Sequence, residues 1–296
     1  MQALRWSYRP DVLRAPALIC AFKGWNDAAD AASSAVTFVG EALGARRFAT
    51  IDPEEFYDFQ NTRPTIKLDD EGAVGRRIVW PQVEIFEARI PRAPRDLILL
   101  TGPEPSYRWQ TFTSMIVDLA EAIGVQMVVT VGALLADVPH SRPVNVTGFA
   151  SDPGLVQRLG LQTSSYEGPT GILGVVHAAC EEAGMPSASL WAAVPHYIAA
   201  SPNPKASLAL VRKLEGLVGV AVDALELERA ATDYERQVNA AVQSDPDAQA
   251  FVERLEQASA DDPDDATIEL PSGDALEQDL QRFLRQRGDE PPRASR

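Results

Sequence analysis

The sequence predicts an α/β fold: a mostly parallel sheet covered by helices on both faces, followed by a helical extension. Three observations carry this. Short continuous apolar runs, such as those in APALICAFKG (15–24) and DLILLTG (96–102), end in Gly, as strands buried on both faces do. Helical stretches alternate with these runs, the order that places crossover helices over a parallel sheet. From about Asn203 onward the strand signal is gone and helical spacing alone remains.

Taken in order, APALICAFKG is the first buried strand. WNDAADAASSAVTFVGEALG (25–44) follows as a helix with Asn26 or Asp27 as N-cap and Gly44 as its stop. RRFATI (46–51) reads as the next strand, so 15–51 forms a βαβ unit. PTIKLDDEGAVGRRIVWPQVEIFEARI (64–90) alternates around the turn DDEG, which predicts a hairpin and an antiparallel insertion. The parallel pattern then resumes with DLILLTG as a strand, WQTFTSMIVDLAEAIG (109–124) as a helix and VQMVVTVG (125–132) as a strand. SDPGLVQRLG (151–160) is a short helix capped by Ser151 or Asp152. GILGVVHAACEEAG (171–184) is a longer helix, and ASLWAAVPH (188–196) the last strand.

Residues 205–242 carry Leu208, Val211, Leu214, Val218 and Val222 on one helical stripe. DAQAFVERLEQAS (247–259) and GDALEQDLQRFLRQRG (273–288) are two further amphipathic helices, separated by the solvated acidic linker DDPDDATIELPSG (261–273). The tail DEPPRASR is expected to fray. The 296 residues therefore divide into an α/β domain over 1–220 and an acidic helical extension over 221–296.

Charge follows that division. Of the formal −15, residues 221–296 hold 8 Lys+Arg against 19 Asp+Glu, leaving 19 against 23 in residues 1–220. Such a field repels a phosphate backbone, so general nucleic-acid binding is not expected. No apolar run reaches the roughly 18–20 residues of a membrane helix, and Arg5, Arg9, Asp11 and Arg14 interrupt any signal-peptide core. Cys20 and Cys180 lie in apolar stretches and read as buried free thiols, which fits a cytoplasmic protein.

In an open parallel sheet, ligands collect beyond the carboxyl ends of the strands. Those ends are KGWND (23–27), TGPEP (101–105), VGALLADVPHSRP (131–143), YEGPTG (166–171) and PHYIAASPNPK (195–205). Asn26, Asp27, Asp137, His140, Glu167, Thr170 and His196 are therefore the candidates for one pocket. In a chemical pocket, clustered Asp137 and Glu167 repel, and one carboxylate keeps its proton as an acid beside a His196 base. In a structural one, each side chain caps a helix or binds loop amides. GPTG likewise reads either as an anion cradle or as a tight helix start. The phosphate-loop, dinucleotide and G-x-S-x-G signatures are all missing from the sequence. The spacings Asp137-x-x-His140 and His177-x-x-x-Glu181 are too sparse to predict a metal, and no cofactor is expected.

Four segments, ALICAFKGWNDAADAA, LILLTGPEPSYRW, VVTVGALLADVPHSRPVNVTG and YEGPTGILGVVHAACEEAGMPSASLWAAVPHYIAASPNPKAS, resemble the PAC2 family, named for proteasome assembly chaperone 2. The closer likeness is to its bacterial, actinobacterial-type members. This resemblance implies a three-layer α/β/α sandwich (phosphorylase/hydrolase-like, similar to purine nucleoside phosphorylases) and a homo-oligomer, with a trimer favoured. Relatives in eukaryotes and archaea act as chaperones of the 20S proteasome, some docking a C-terminal hydrophobic–Tyr–X tail. This chain ends RASR with no tyrosine after Tyr234, so tail docking is not expected of it. Two functions stay open. One is an assembly or interaction protein related to proteasome chaperones; the other is a small-molecule-binding protein or enzyme using the carboxyl-edge pocket. A phosphorylase-like fold does not confer phosphorylase chemistry.

Overall fold

The computed structural model describes residues 3–68, 75–150, 153–162 and 166–261. The expected DDEG turn, the Ser151 or Asp152 cap, nearly all of the acidic linker, the 273–288 helix and the tail lie outside the described residues. The strands are β1 (Leu4–Trp6), β2 (Ala17–Lys23), β3 (Arg46–Ile51), β4 (Thr65–Leu68), β5 (Arg76–Val79), β6 (Val83–Ala88), β7 (Leu97–Pro103), β8 (Met127–Ala136), β9 (Val146–Ala150) and β10 (Ser187–Pro195). The helices are α1 (Ala31–Ala42), α2 (Trp109–Ala122), α3 (Pro153–Leu159), α4 (Ile172–Glu182), α5 (Pro204–Val218), α6 (Leu225–Gln243) and α7 (Pro246–Asp261).

Eight strands form one sheet in the order β1-β3-β6-β7-β2-β8-β10-β9. The four central strands β7, β2, β8 and β10 are mutually parallel. Both flanks are antiparallel: β6, β3 and β1 on one side, β9 on the other. Side-chain alternation along β2 defines the layers. Ala17, Ile19 and Ala21 enter a core with Val36 of α1 and Leu210 of α5. Leu18, Cys20 and Phe22 enter the opposite core with Phe112 of α2 and Val176 of α4. Each fully buried Leu or Phe in these cores contributes about 1.5–3 kcal/mol of transfer free energy.

Several expected elements differ in extent. β3 runs in the direction a βαβ unit requires, but β6 and β7 stand between it and β2. The antiparallel insertion supplies that spacer, since β6 (VEIFEA) buries alternate residues in the main sheet. β8 continues to Ala136, past the Gly132 at which the sequence places its end, and pairs with β10 along nine positions. Gly132 is an interior gap, because a Cβ there would lie 2.7 Å from the Trp191 ring. β9, in a stretch to which the sequence analysis assigns no element, is an edge strand whose Gly148 leaves room for Leu161 and Leu190.

The 205–242 helix is two helices. Asn203 caps α5 by accepting from the Ala206 N–H at 3.0 Å, with Pro204 in the first turn. Gly219 ends it in the left-handed conformation (φ 69°). Glu215 Oε1 then accepts from the Val222 N–H at 2.7 Å, bending the chain toward α6. Val220, Val222 and Leu227 join the same core as β2 and α1. Strands β4 and β5 form a separate two-stranded ribbon. Among the described residues, no helix is long and apolar enough to cross a membrane.

Candidate functional site at the carboxyl edge of the sheet

The parallel directions of β2, β7, β8 and β10 bring their carboxyl ends to one edge. There the first residue past β7, Glu104, is anchored by its own N–H donating to the Lys23 carbonyl at 2.8 Å. Its Oε1 accepts from the Ile172 N–H at 2.9 Å and from Asn26 Nδ2 at 3.1 Å. The first N–H groups of a helix lack internal partners and favour an anion. At α4 that anion is the chain's own carboxylate. Gly171 makes the geometry possible, because a Cβ at that position would stand 1.9 Å from Asn26 Nδ2. GPTG is therefore a helix start held by an internal acid. Thr170 is exposed, with its Oγ1 lying over Gly174, and Glu167 is exposed beside the turn.

Asp27 is buried and caps α1 from across a 3-10 turn (Ala28–Asp30). Its Oδ1 accepts from the Ala32 and Ser33 N–H groups at 2.7 and 3.2 Å. The neighbouring backbone bridges to β8, where the Ala133 N–H donates to the Asn26 carbonyl at 2.9 Å. Asp27 Oδ2 and Ser33 Oγ are buried without a hydrogen-bond partner. Burial pushes the Asp27 carboxyl up to about 6, only partly offset by the N–H donors.

A second group surrounds Tyr197. Its hydroxyl accepts the His140 N–H at 2.8 Å and lies 2.7 Å from His140 Nδ1. His140 Nε2 reaches Asn239 Oδ1 of α6 at 2.9 Å. The amide oxygen can only accept, so His140 donates from Nε2 and accepts at Nδ1 from the tyrosine. Lys205 Nζ donates to the His140 carbonyl at 2.6 Å and pairs with Glu235 at 3.0 Å. Phe251 of α7 meets both His196 and Tyr197 edge-to-face, and Ser141 donates to Glu256 of α7. Asp137 Oδ1 stands 2.9 Å from His196 Nδ1, with 84% of the Asp137 side chain exposed.

The seven candidates thus fall into two contact groups. Asn26, Asp27 and Thr170 gather around the starts of α1 and α4; Asp137, His140 and His196 gather around Tyr197. Glu167 joins neither through a described contact. A groove of about 710 Å³ runs between α5 and α6, lined by Lys205, Leu208, Glu235 and Asn239 among others, and none of the seven lines it. Among the described residues, no cluster of three or more His, Cys, Asp or Glu side chains is arranged to hold a metal. Sequence reasoning counts Glu104 among the polar residues of the strand ends but leaves it, with Tyr197 and Asn239, out of the pocket candidates. Glu104 sits directly after a strand in TGPEP, a signal available in the sequence. Asn239 meets His140 from 99 positions away, with no local sign.

The PAC2 family model matches residues 21–242. A PAC2 family protein from Streptomyces avermitilis has a solved structure that is 44% identical, covering 80% of this chain and 99% of that chain with a TM-score of 0.75. A Mycobacterium tuberculosis proteasome-assembly chaperone homologue is 42% identical, covering 80% and 99%, with a TM-score of 0.72. An archaeal proteasome activator from Pyrococcus furiosus shares the fold at 17% identity, covering 80% and 97%, with a TM-score of 0.62. No curated protein matches the chain.

Proposed function

The chain belongs to the PAC2 family, and from that premise we propose that it is an assembly or interaction protein related to proteasome assembly chaperones. Its partners are then proteasome subunits and further copies of itself, in the cytoplasm. The likeness to a proteasome-assembly chaperone homologue, at 42% identity, supports this reading. The observation that carries it is the use made of the carboxyl edge. Glu104 holds the start of α4, Asp27 the start of α1, and His140 joins a loop to α6. Polar groups committed in this way position backbone; they are not disposed around a reacting atom.

The homo-oligomer is read as a trimer, about three times the 32.1 kDa of one chain. The test is a native pull-down of the full chain with mass spectrometry of both proteins and small molecules. Capture of 20S α-subunits, retained by Asp137→Asn and His196→Ala, is the expected result. A metabolite that survives purification and is lost in those two variants, with no α-subunit captured, overturns it in favour of a ligand-binding edge.

A further inference from the structure

One face of α6 stays open among the described residues. The groove of about 710 Å³ follows it at helical spacing, from Glu228 through Thr232, Glu235 and Asn239 to Gln243. That stretch is about 22 Å of helix. Leu225, three positions before Glu228 on the same face, is 51% exposed. Leu208 of α5, Ala231 and Ala240 give the groove its apolar lining, and the two alanines let another helix approach closely. α7, held at His196, Tyr197 and Ser141, does not line it.

The chain itself supplies a cover of matching length. Residues 262–296 follow α7 and lie outside the described residues. Within them the sequence places an amphipathic helix over 273–288, about 24 Å long, with Leu276, Leu280, Phe283 and Leu284 on one stripe. The reach is sufficient. α7 begins at Pro246, three residues past Gln243, and its 16 residues carry the chain about 24 Å away. Extended, residues 262–272 span up to about 36 Å, enough to bring Gly273 back to the Gln243 end of the groove.

Charge sets the direction. Residues 221–261 hold 3 Lys+Arg against 10 Asp+Glu, whereas residues 281–296 hold 5 against 2. Around the start of α6, Asp223, Glu226 and Glu228, with Glu215 of α5, outnumber Arg212 and Arg229. Further along, Asp233 and Glu235 balance Arg236 and Lys205. A helix antiparallel to α6 sets Arg282, Arg285 and Arg287 beside the acidic start, and leaves Asp274, Glu277 and Asp279 toward Lys205 and Arg236. We propose that residues 273–288 fold back as a helix into the α5–α6 groove of their own chain, antiparallel to α6. The short tether holds them there at an effective concentration on the order of millimolar, ahead of a second copy in dilute solution. A partner that uses this face of α6 must first displace the cover.

The test places a thiol in the groove with Thr232→Cys in the full chain, where Cys20 and Cys180 are buried. Its alkylation is expected to be slow, and to quicken about 10-fold or more when Leu280→Asp and Phe283→Asp are added, with thermal melting unchanged. Equal rates in the two backgrounds overturn the proposal. So does protection that is lost on dilution, which marks a second copy as the occupant. Should the tail variant unfold, Ala240→Cys with Leu276→Cys decides after oxidation with diamide at low protein concentration. A disulfide within one chain, read as a faster monomer band on a non-reducing gel, supports the fold-back. A disulfide-linked dimer, or chains left unlinked, overturns it.

Discussion

At α4, Glu104 occupies the position that a bound phosphate or sulfate takes at other helix starts. A charged acceptor for a helix N–H and an Asn amide is worth about 1.5–3 kcal/mol per hydrogen bond. Glu104→Ala is expected to destabilise the chain by roughly 2–4 kcal/mol in denaturant melts, on that same scale. The vacated space has the shape of a carboxylate, so added formate should recover part of the loss in the variant and leave the wild type unchanged. Asp27 works in the opposite sense. Its folded pKa of about 6 lies above the ordinary 3.8, so the folded state holds the proton more tightly than the unfolded chain does. The ionised form therefore costs stability above pH 6, and that cost fades as pH falls from 6 toward 4. Asp27→Asn keeps an oxygen for the Ala32 and Ser33 N–H groups and removes the charge. It is expected to exceed wild type by about 1–3 kcal/mol at pH 8 and to converge with it near pH 4, read from melts at both pH values.

The helices of the C-terminal third reach back to the loops of the sheet through single side chains. His140 links Tyr197 to Asn239 of α6. His140→Ala is expected to cost about 1–3 kcal/mol. Its signature is faster amide hydrogen exchange in α6 and α7 while β2 and β8 stay protected, which distinguishes a lost tether from a general loss of stability. These links explain what was legible in the sequence and what was not. Strand alternation, helix caps and stops are local, so β2, α1, α2, α4 and β10 could be read directly. Asp27 as a cap and the clustering of strand ends along one edge followed from the same local logic. The break between α5 and α6 was not read, because GVAVDA contains no proline and an isolated glycine, though a stop signal, is also tolerated inside a helix at a cost of about 1 kcal/mol. The end of β8 was misplaced because Gly132 accommodates Trp191, a side chain on another strand. The partition of the seven candidates into two groups was equally hidden, since it depends on Glu104, Tyr197 and Asn239 supplying the contacts.

For the whole molecule, strand order and chain order disagree. Ala17 of β2 pairs with Leu97 of β7 and Met127 of β8, 80 and 110 positions further along. β8 in turn gains its other neighbour only at β10. Such long separations make a chain slow to fold and keep its apolar strands exposed while it does so. On the ribosome this becomes a matter of timing. The LICAF stretch of β2 emerges early and waits for β10 before the centre of the sheet is complete. Chains stopped before Ser187 are accordingly expected to leave Cys20 and Cys180 open to alkylation, whereas the finished protein shields both. The two thiols thus act as a clock for synthesis, recording when the last central strand arrives.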